Sequence, residues 1–490
     1  MAAQPSEAVS ARSGLKPNAI GFWPVLMQAI THIAPAAGIL LTIQFIASEA
    51  GKAAPLAYAI AFVIILTLGI SLTQLAKFLP SAGGYYTYVS RTIGPRSGFL
   101  TSWFYFLYDP IGPAIEFAFM GYIFNATLQA EWGASFPWWL FFLLAVGLIT
   151  VLVYRGIKLT GRALVILGLS ETAIIVALAL SGIIHPGSGG LNASGFNPGA
   201  ASSGNGFFLA IVFAIFAFTG FESVAPIAEE SVNPRKTLPR AIIVSIIVMG
   251  VFFILSAWGI MAGWGTNHVA SLINSSVNPF FVVGKRLWGV AWVIVFLALV
   301  NSAIGTSMAN MVASTRVFYG MARSGSLPSR LAEIHPRFRT PTKAIWLQTV
   351  ITLAVGLGLG FGLTPVNEFD LMGVVITLTL IFVYGAGNIG VIRYYWRERR
   401  SEFNPVLHAV FPIFSTIALI YVGYKSIVPL PASPVNAAPF IVAGWLILGL
   451  ALVWGMSRTG QEDWLRRARQ TMPDDSPLPE PAMGAKRDTA

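Results

Sequence analysis

The chain has 490 residues, of which 55% are hydrophobic and 10% charged, against roughly 25% charged in an ordinary soluble domain. That balance excludes a soluble globular fold and leaves a protein solvated by a bilayer. The net charge is +11 and there is no cysteine, which excludes disulfides and thiolate metal sites and restricts nucleic-acid binding to a case in which the basic residues share one surface.

The first 19 residues are polar and lack an apolar stretch ending in a small-residue cleavage site, so no cleavable signal peptide is expected. About twelve apolar stretches follow, at residues 20–47, 55–79, 98–128, 136–153, 162–184, 206–228, 240–263, 279–318, 344–363, 369–395, 407–425 and 437–456. Crossing a bilayer takes about 20 apolar residues as a helix. Only helices and closed barrels satisfy the backbone there. Residues 59–70 and 242–257 are nearly continuous apolar runs without strand alternation, so the fold class is all-α membrane protein. The eighth stretch is too long for one simple span, and its ends are expected to protrude. The loop at 186–206 is rich in Gly, Ser and Asn and carries no charge, which predicts a flexible connection. The tail at 458–490 is expected to be cytoplasmic, and beyond residue 472, where it is polar and proline-rich, disordered.

The basic residues choose the topology. With both termini cytoplasmic, 27 of the 31 Lys and Arg fall in inner segments and only Lys52, Lys285, Arg286 and Lys425 in outer ones, as the positive-inside rule requires. The clusters at 393–400 and 466–469 therefore read as membrane-surface anchors rather than nucleic-acid patches.

Two spans carry helix breakers. The first contains His32-Ile33-Ala34-Pro35-Ala36-Ala37-Gly38, and the sixth Phe216-Ala217-Phe218-Thr219-Gly220-Phe221-Glu222-Ser223 followed by Pro226. Proline removes a backbone donor, and a pair of discontinuous helices is the pointer to a midplane binding site in repeat-built carriers. Exposed N–H groups at such a break suit a carboxylate and unwound carbonyls suit an ammonium. The competing reading is that Pro and Gly merely kink packed helices.

Three stretches now resemble the amino acid–polyamine–organocation superfamily of permeases. They are Pro80-Ser81-Ala82-Gly83-Gly84-Tyr85-Tyr86-Thr87-Tyr88 after the second span, Phe218 to Glu222 with Glu229-Glu230 and Asn233-Pro234-Arg235-Lys236-Thr237-Leu238-Pro239-Arg240, and Arg316 with Met321-Ala322-Arg323-Ser324-Gly325-Ser326-Leu327-Pro328. The resemblance implies a leucine-transporter-type fold. Residues 20–400 would form two inverted five-helix repeats, at about 20–184 and 206–400, with helices 1 and 6 discontinuous and two further spans at 401–457. It implies secondary transport by alternating access across the cytoplasmic membrane. Its substrates would be amino acids or related amines and its coupling proton symport; the alternatives are an exchanger, a sodium-coupled carrier, a channel or a non-transporting sensor. At the first break relatives usually read Gly-Ser-Gly-Ile-Phe; here Ala36-Ala37-Gly38-Ile39-Leu40 stands, with Pro35 upstream. Substrate contacts are accordingly expected from Ala34, Ala36, Ala37, Gly38 and Ile39, and from Phe216, Ala217, Phe218, Thr219, Gly220 and Phe221.

The spans also bury Asp109, Glu116, Glu171 and Glu222 with no Lys or Arg at comparable depth. Intramembrane charge is costly and usually functional. Relatives coupled to protons carry a lysine in the fifth span, where a sodium ion would otherwise sit. Counting from Arg155-Gly156-Ile157-Lys158 brings Glu171 near that place. Glu171 is therefore a candidate proton-coupling residue. A cation ligand beside hydroxyls of the eighth span, or a neutral acid between helices, are its other readings. Glu222 resembles a residue that gates or couples substrate in relatives. Asp109 and Glu116 are seven residues apart, two helical turns, and on one face they could hold a second positive charge of the substrate if Pro110 and Pro113 do not bend the helix too far. His32 reads as a packed polar group, and Glu229-Glu230 as partners of loop arginines. No nucleophile–base pair or metal-ligand spacing appears, so neither enzyme chemistry nor a cofactor is expected.

Overall fold

In the computed structural model the described residues are 14–201, 204–275 and 277–458. Most of the predicted N-terminal segment and nearly all of the predicted disordered tail lie outside them. The uninterrupted apolar runs form long helices. Ile157–Ile184, for example, has 28 residues, about 42 Å at 1.5 Å per residue, and exceeds a hydrocarbon core of about 30 Å. Among the described residues no strand occurs, only two isolated bridges, Ile20 with Ser231 and Ile334 with Pro341.

The helices in chain order are α1 (Phe22–His32), α2 (Pro35–Leu40), α3 (Ile43–Ala50), α4 (Ala54–Ala76), α5 (Tyr85–Thr92), α6 (Pro95–Tyr105), α7 (Gly112–Trp132), α8 (Trp138–Tyr154) and α9 (Ile157–Ile184). They continue as α10 (Gly204–Ala217), a tighter 3-10 segment Phe221–Glu230, α11 (Pro234–Trp264), α12 (Pro279–Trp288), α13 (Val293–Ser324), α14 (Thr342–Leu363), α15 (Pro365–Arg397), α16 (Phe411–Ile427) and α17 (Ala438–Arg458). Among the described residues ten segments are long and apolar enough to cross a membrane, and α8 is a shorter apolar helix.

Besides the first and sixth, two predicted spans are divided. The stretch expected as one helix with protruding ends at 279–318 is α12 and α13, separated by a corner at Gly289, whose φ of 55° disfavours any residue with a β-carbon. The third stretch is α6 and α7, separated by turns over residues 106–111. Pro110 cannot donate and Pro113 lies in the first turn of α7, where its missing N–H costs nothing.

Apolar side chains such as Ile166, Leu169 and Trp454 point outward, which only a lipid solvent tolerates on this scale. Inside, small residues set the closest helix contact. A β-carbon on Gly182 would stand 2.2 Å from the Gly259 carbonyl oxygen, and one on Gly259 would stand 2.3 Å from that of Ala179. Thus α9 and α11 touch through their backbones, the contact small residues permit between membrane helices. The last helix is fixed by a reciprocal pair. Trp103 and Trp445 stack with centroids 4.2 Å apart, and each indole N–H donates to the other's carbonyl, at 2.8 and 2.7 Å.

Candidate functional site: a cavity where two helix breaks meet

The first break lies between α1 and α2. Pro35 opens α2 and Ala34 before it takes φ 57°, ψ 73°. The left-handed region is unfavourable for alanine, and strain of this kind persists only where the surroundings hold it. The second break follows α10, where Gly220 has φ 117° and the 3-10 segment carries Pro226. A β-carbon on Gly220 would stand 2.7 Å from the His32 carbonyl carbon. Two segments some 190 residues apart in the sequence therefore cross backbone to backbone.

Beside this crossing lies a cavity of about 110 Å³ between α1, α2, α7, α10, α13 and α15. Of the predicted contacts, Ala34, Ala37, Gly38, Phe216, Ala217, Thr219 and Glu116 line it. Ala36, Ile39, Phe218, Gly220, Phe221, Asp109, Glu171 and Glu222 are not among its lining residues. Phe218 turns from the cavity to meet Phe253 edge to face at 4.9 Å, and Phe221 stacks on Tyr384 at 5.8 Å. The break rotates the chain between Ala217 and Phe221, so aromatic spacing along a regular helix does not describe them. Among the described residues no lysine or arginine lines the cavity, and Glu116 is its one carboxylate.

Four N–H groups at the breaks are already engaged. Ala36 donates to Glu171 Oε2 at 3.3 Å, Ala37 to Ser302 Oγ at 3.0 Å, and Gly38 to the Ala34 carbonyl at 2.6 Å. At the second break Gly220 donates to Glu222 Oε2 at 3.1 Å. Glu171 and Glu222 are both buried, and the remaining oxygen of each has no hydrogen-bond partner.

Asp109 and Glu116 do not share a helix face, because α7 begins only at Gly112. Glu116 reaches the cavity and accepts from Ser307 at 3.1 Å. Asp109 lies behind His32. Its Oδ2 accepts from the Tyr105 hydroxyl, and its Oδ1 stands 3.4 Å from His32 Nε2. His32 lines the cavity, and its Nε2 is also 3.1 Å from the Tyr108 hydroxyl.

Away from the cavity lining, the three family-like stretches converge. Arg316 is fully buried and paired with Glu230 through two bonds, at 2.9 and 3.3 Å. Arg323 holds Glu229 at 2.8 and 2.5 Å, and the Ala82 N–H donates to Glu229 at 3.1 Å. Pairing of Glu229-Glu230 with arginines follows the sequence reading. Arg316 lies inside α13 with its charge satisfied by Glu230.

The sequence reading overlooked Tyr108, Thr306 and Asn310, which line the cavity, because single polar residues in apolar helices carry no distinctive spacing. It also missed Glu368, a buried acid in the first turn of α15 whose two oxygens have no hydrogen-bond partner. The predicted boundary at residue 369 left Glu368 in a loop; Thr364, whose hydroxyl accepts from the Asn367 N–H, was the available start signal.

A bundle of apolar helices with an internal cavity beside two helix breaks is the architecture of a polytopic membrane protein. The chain belongs to the amino acid permease family, whose model matches residues 24–473. It is similar to a low-affinity putrescine importer of Escherichia coli, 25% identical over 77% of this chain and 81% of the relative. A branched-chain amino acid permease of Bacillus subtilis is 26% identical over 84% and 87% of the two chains. An amino-acid permease of the same organism is 25% identical over 79% and 85%. The protein is thus a transporter of the APC superfamily and not an enzyme.

Proposed function

We propose that the protein is a secondary active transporter that moves amine-bearing solutes, amino acids or polyamines, across the cytoplasmic membrane by alternating access. In this reading residues 20–400 form two inverted five-helix repeats. Helices α1 and α2 are the halves of a discontinuous first span, and α10 with the 3-10 segment those of a discontinuous sixth. Segments α6–α7 and α12–α13 each contribute one span, and α16 and α17 complete twelve, with both termini inside. The Arg316–Glu230 and Arg323–Glu229 layer is then cytoplasmic.

The observation that carries the reading is the cavity itself. It lies against the crossing of two strained breaks, has one carboxylate and, among the described residues, no fixed cation on its walls. A solute bearing an ammonium group suits such a wall. Helices broken at a site can also rearrange around it at low cost, which a carrier requires. Substrate contacts are assigned to Ala34, Ala37, Gly38, Phe216, Ala217, Thr219 and Glu116.

Coupling is assigned to protons through Glu171. This carboxyl group is buried against the first break, and on losing its charge it would hold the Ala36 N–H less strongly, because a neutral oxygen is a weaker acceptor than a carboxylate. That ties its protonation to the geometry of the substrate site. Glu222 plays the corresponding part at the second break.

The test is flux in proteoliposomes. Amine or amino acid uptake should be driven by an inward proton gradient without sodium. Glu171→Gln, which keeps an oxygen for the Ala36 N–H but cannot carry the proton, should exchange substrate without responding to the gradient. Uptake that needs sodium, or a Glu171→Gln protein with the unchanged pH profile, sinks the coupling assignment. Absence of flux with every amino acid and amine sinks the transporter reading.

A further inference from the structure

We infer that the solute is a diamine or polyamine without a carboxylate, not an α-amino acid. This rests on the reading of the cavity as the substrate site and narrows it. A substrate carboxylate in such a site would be held by the free N–H groups of a broken helix. At the first break they can be accounted for one by one. Pro35 has no N–H, Ala36 donates to Glu171, Ala37 to Ser302 and Gly38 to the Ala34 carbonyl. At the second break the Gly220 N–H is held by Glu222. At each break a buried carboxylate of the protein already holds an N–H that a substrate carboxylate would need.

The walls add the opposite preference. Glu116 faces the cavity with one oxygen held by Ser307, and among the described residues no lysine or arginine is present there to neutralise a second anion. A carboxylate entering would displace Glu171 or Glu222, or stay unpaired beside Glu116. Leaving a buried charge unpaired is strongly unfavourable. An ammonium group meets Glu116 at the wall of the cavity. The second ammonium of a diamine has the acidic floor at Asp109, reached past His32.

Two matched pairs of compounds test this on the purified full-length protein: putrescine against ornithine, and cadaverine against lysine. The members of each pair differ by one carboxylate. Calorimetric or thermal-shift titration should show each diamine binding at least about tenfold more tightly than its amino acid, equivalent to about 1.4 kcal/mol. Equal or tighter binding of ornithine and lysine overturns the inference while leaving an amino acid permease intact. Failure of all four and of neutral amino acids to bind overturns the substrate-site reading as well. Glu171→Ala, which frees the Ala36 N–H, should narrow the putrescine–ornithine gap, and Glu171→Gln, which still accepts that bond, should keep it. An unchanged gap in a folded Glu171→Ala protein counts against the inference. If that variant does not fold, the four titrations on the native chain decide alone.

Discussion

His32 Nε2 lies 3.4 Å from Asp109 Oδ1, with both side chains buried where the first helix break meets the turn between α6 and α7. The Tyr108 ring stacks on the imidazole at 5.6 Å and 17°, and Tyr105 donates to the other Asp109 oxygen. The pair thus forms a small polar network under the cavity, in which each member orients the next.

Removing Asp109 should loosen that network. Asp109→Ala leaves the Tyr105 hydroxyl without its acceptor and His32 Nε2 with Tyr108 alone, and is expected to cost about 1–3 kcal/mol. Asp109→Asn preserves an acceptor for Tyr105 and should lie much closer to the native protein. Thermal unfolding in detergent separates them, and equal melting temperatures for the two variants would show that the network does not stabilise the floor.

The Arg316–Glu230 pair predicts a strong asymmetry between single and double replacement. Arg316→Met or Glu230→Leu alone strands a buried charge and should cost about 3–5 kcal/mol. Both together remove the two charges and should recover most of that loss. Arg323 is partly exposed, its side chain at 34%, so breaking its bond to Glu229 should cost less, because water stabilises the freed guanidinium. Denaturant or thermal unfolding of the four variants checks the order; additive losses at Arg316 and Glu230 would contradict it.

Glu116→Gln should weaken transport without weakening the fold. The amide keeps the size of the side chain and an oxygen for Ser307, but it removes the one carboxylate of the cavity wall. Loss of a direct charge-assisted bond is worth about 1.5–3 kcal/mol, so the KM for a diamine should rise roughly tenfold or more. An unchanged KM would remove Glu116 from the substrate site.

Gly259→Leu should prevent α9 and α11 from packing, since even a β-carbon there would overlap the Ala179 backbone at 2.3 Å. Gly182→Ala meets the same obstacle from the other side. Gly147→Ala, where the added carbon meets nothing within 4 Å, should change stability by about 0.5 kcal/mol or less. Monodisperse yield after extraction is the measurement, and a well-folded Gly259→Leu protein would refute the close helix contact.

Much of this molecule is legible from residue order, for identifiable reasons. Apolar runs such as Ile157–Ile184 announce helices because backbone groups in hydrocarbon have few other partners. Pro35 and Gly220 announce breaks because one lacks a donor and the other tolerates the φ of 117° that the chain adopts there. The limits are equally local. A seven-residue spacing put Asp109 and Glu116 on one face, yet the turns between α6 and α7 separate them. Phe218 and Phe221 read as pocket aromatics, yet they pack on Phe253 and Tyr384.

The sequence by itself determined that the chain is a helical membrane protein and that its first and sixth apolar stretches carry helix breakers, because hydropathy and proline chemistry act residue by residue. Only the tertiary structure decided which groups meet. Glu171 reaches Ala36 and Glu222 returns to Gly220, His32 stands before Asp109, and Arg316 is buried against Glu230. Except for the return of Glu222 to its near neighbour, those meetings depend on how separate helices cross, and crossing is set by side-chain packing over the whole bundle, which no local spacing encodes.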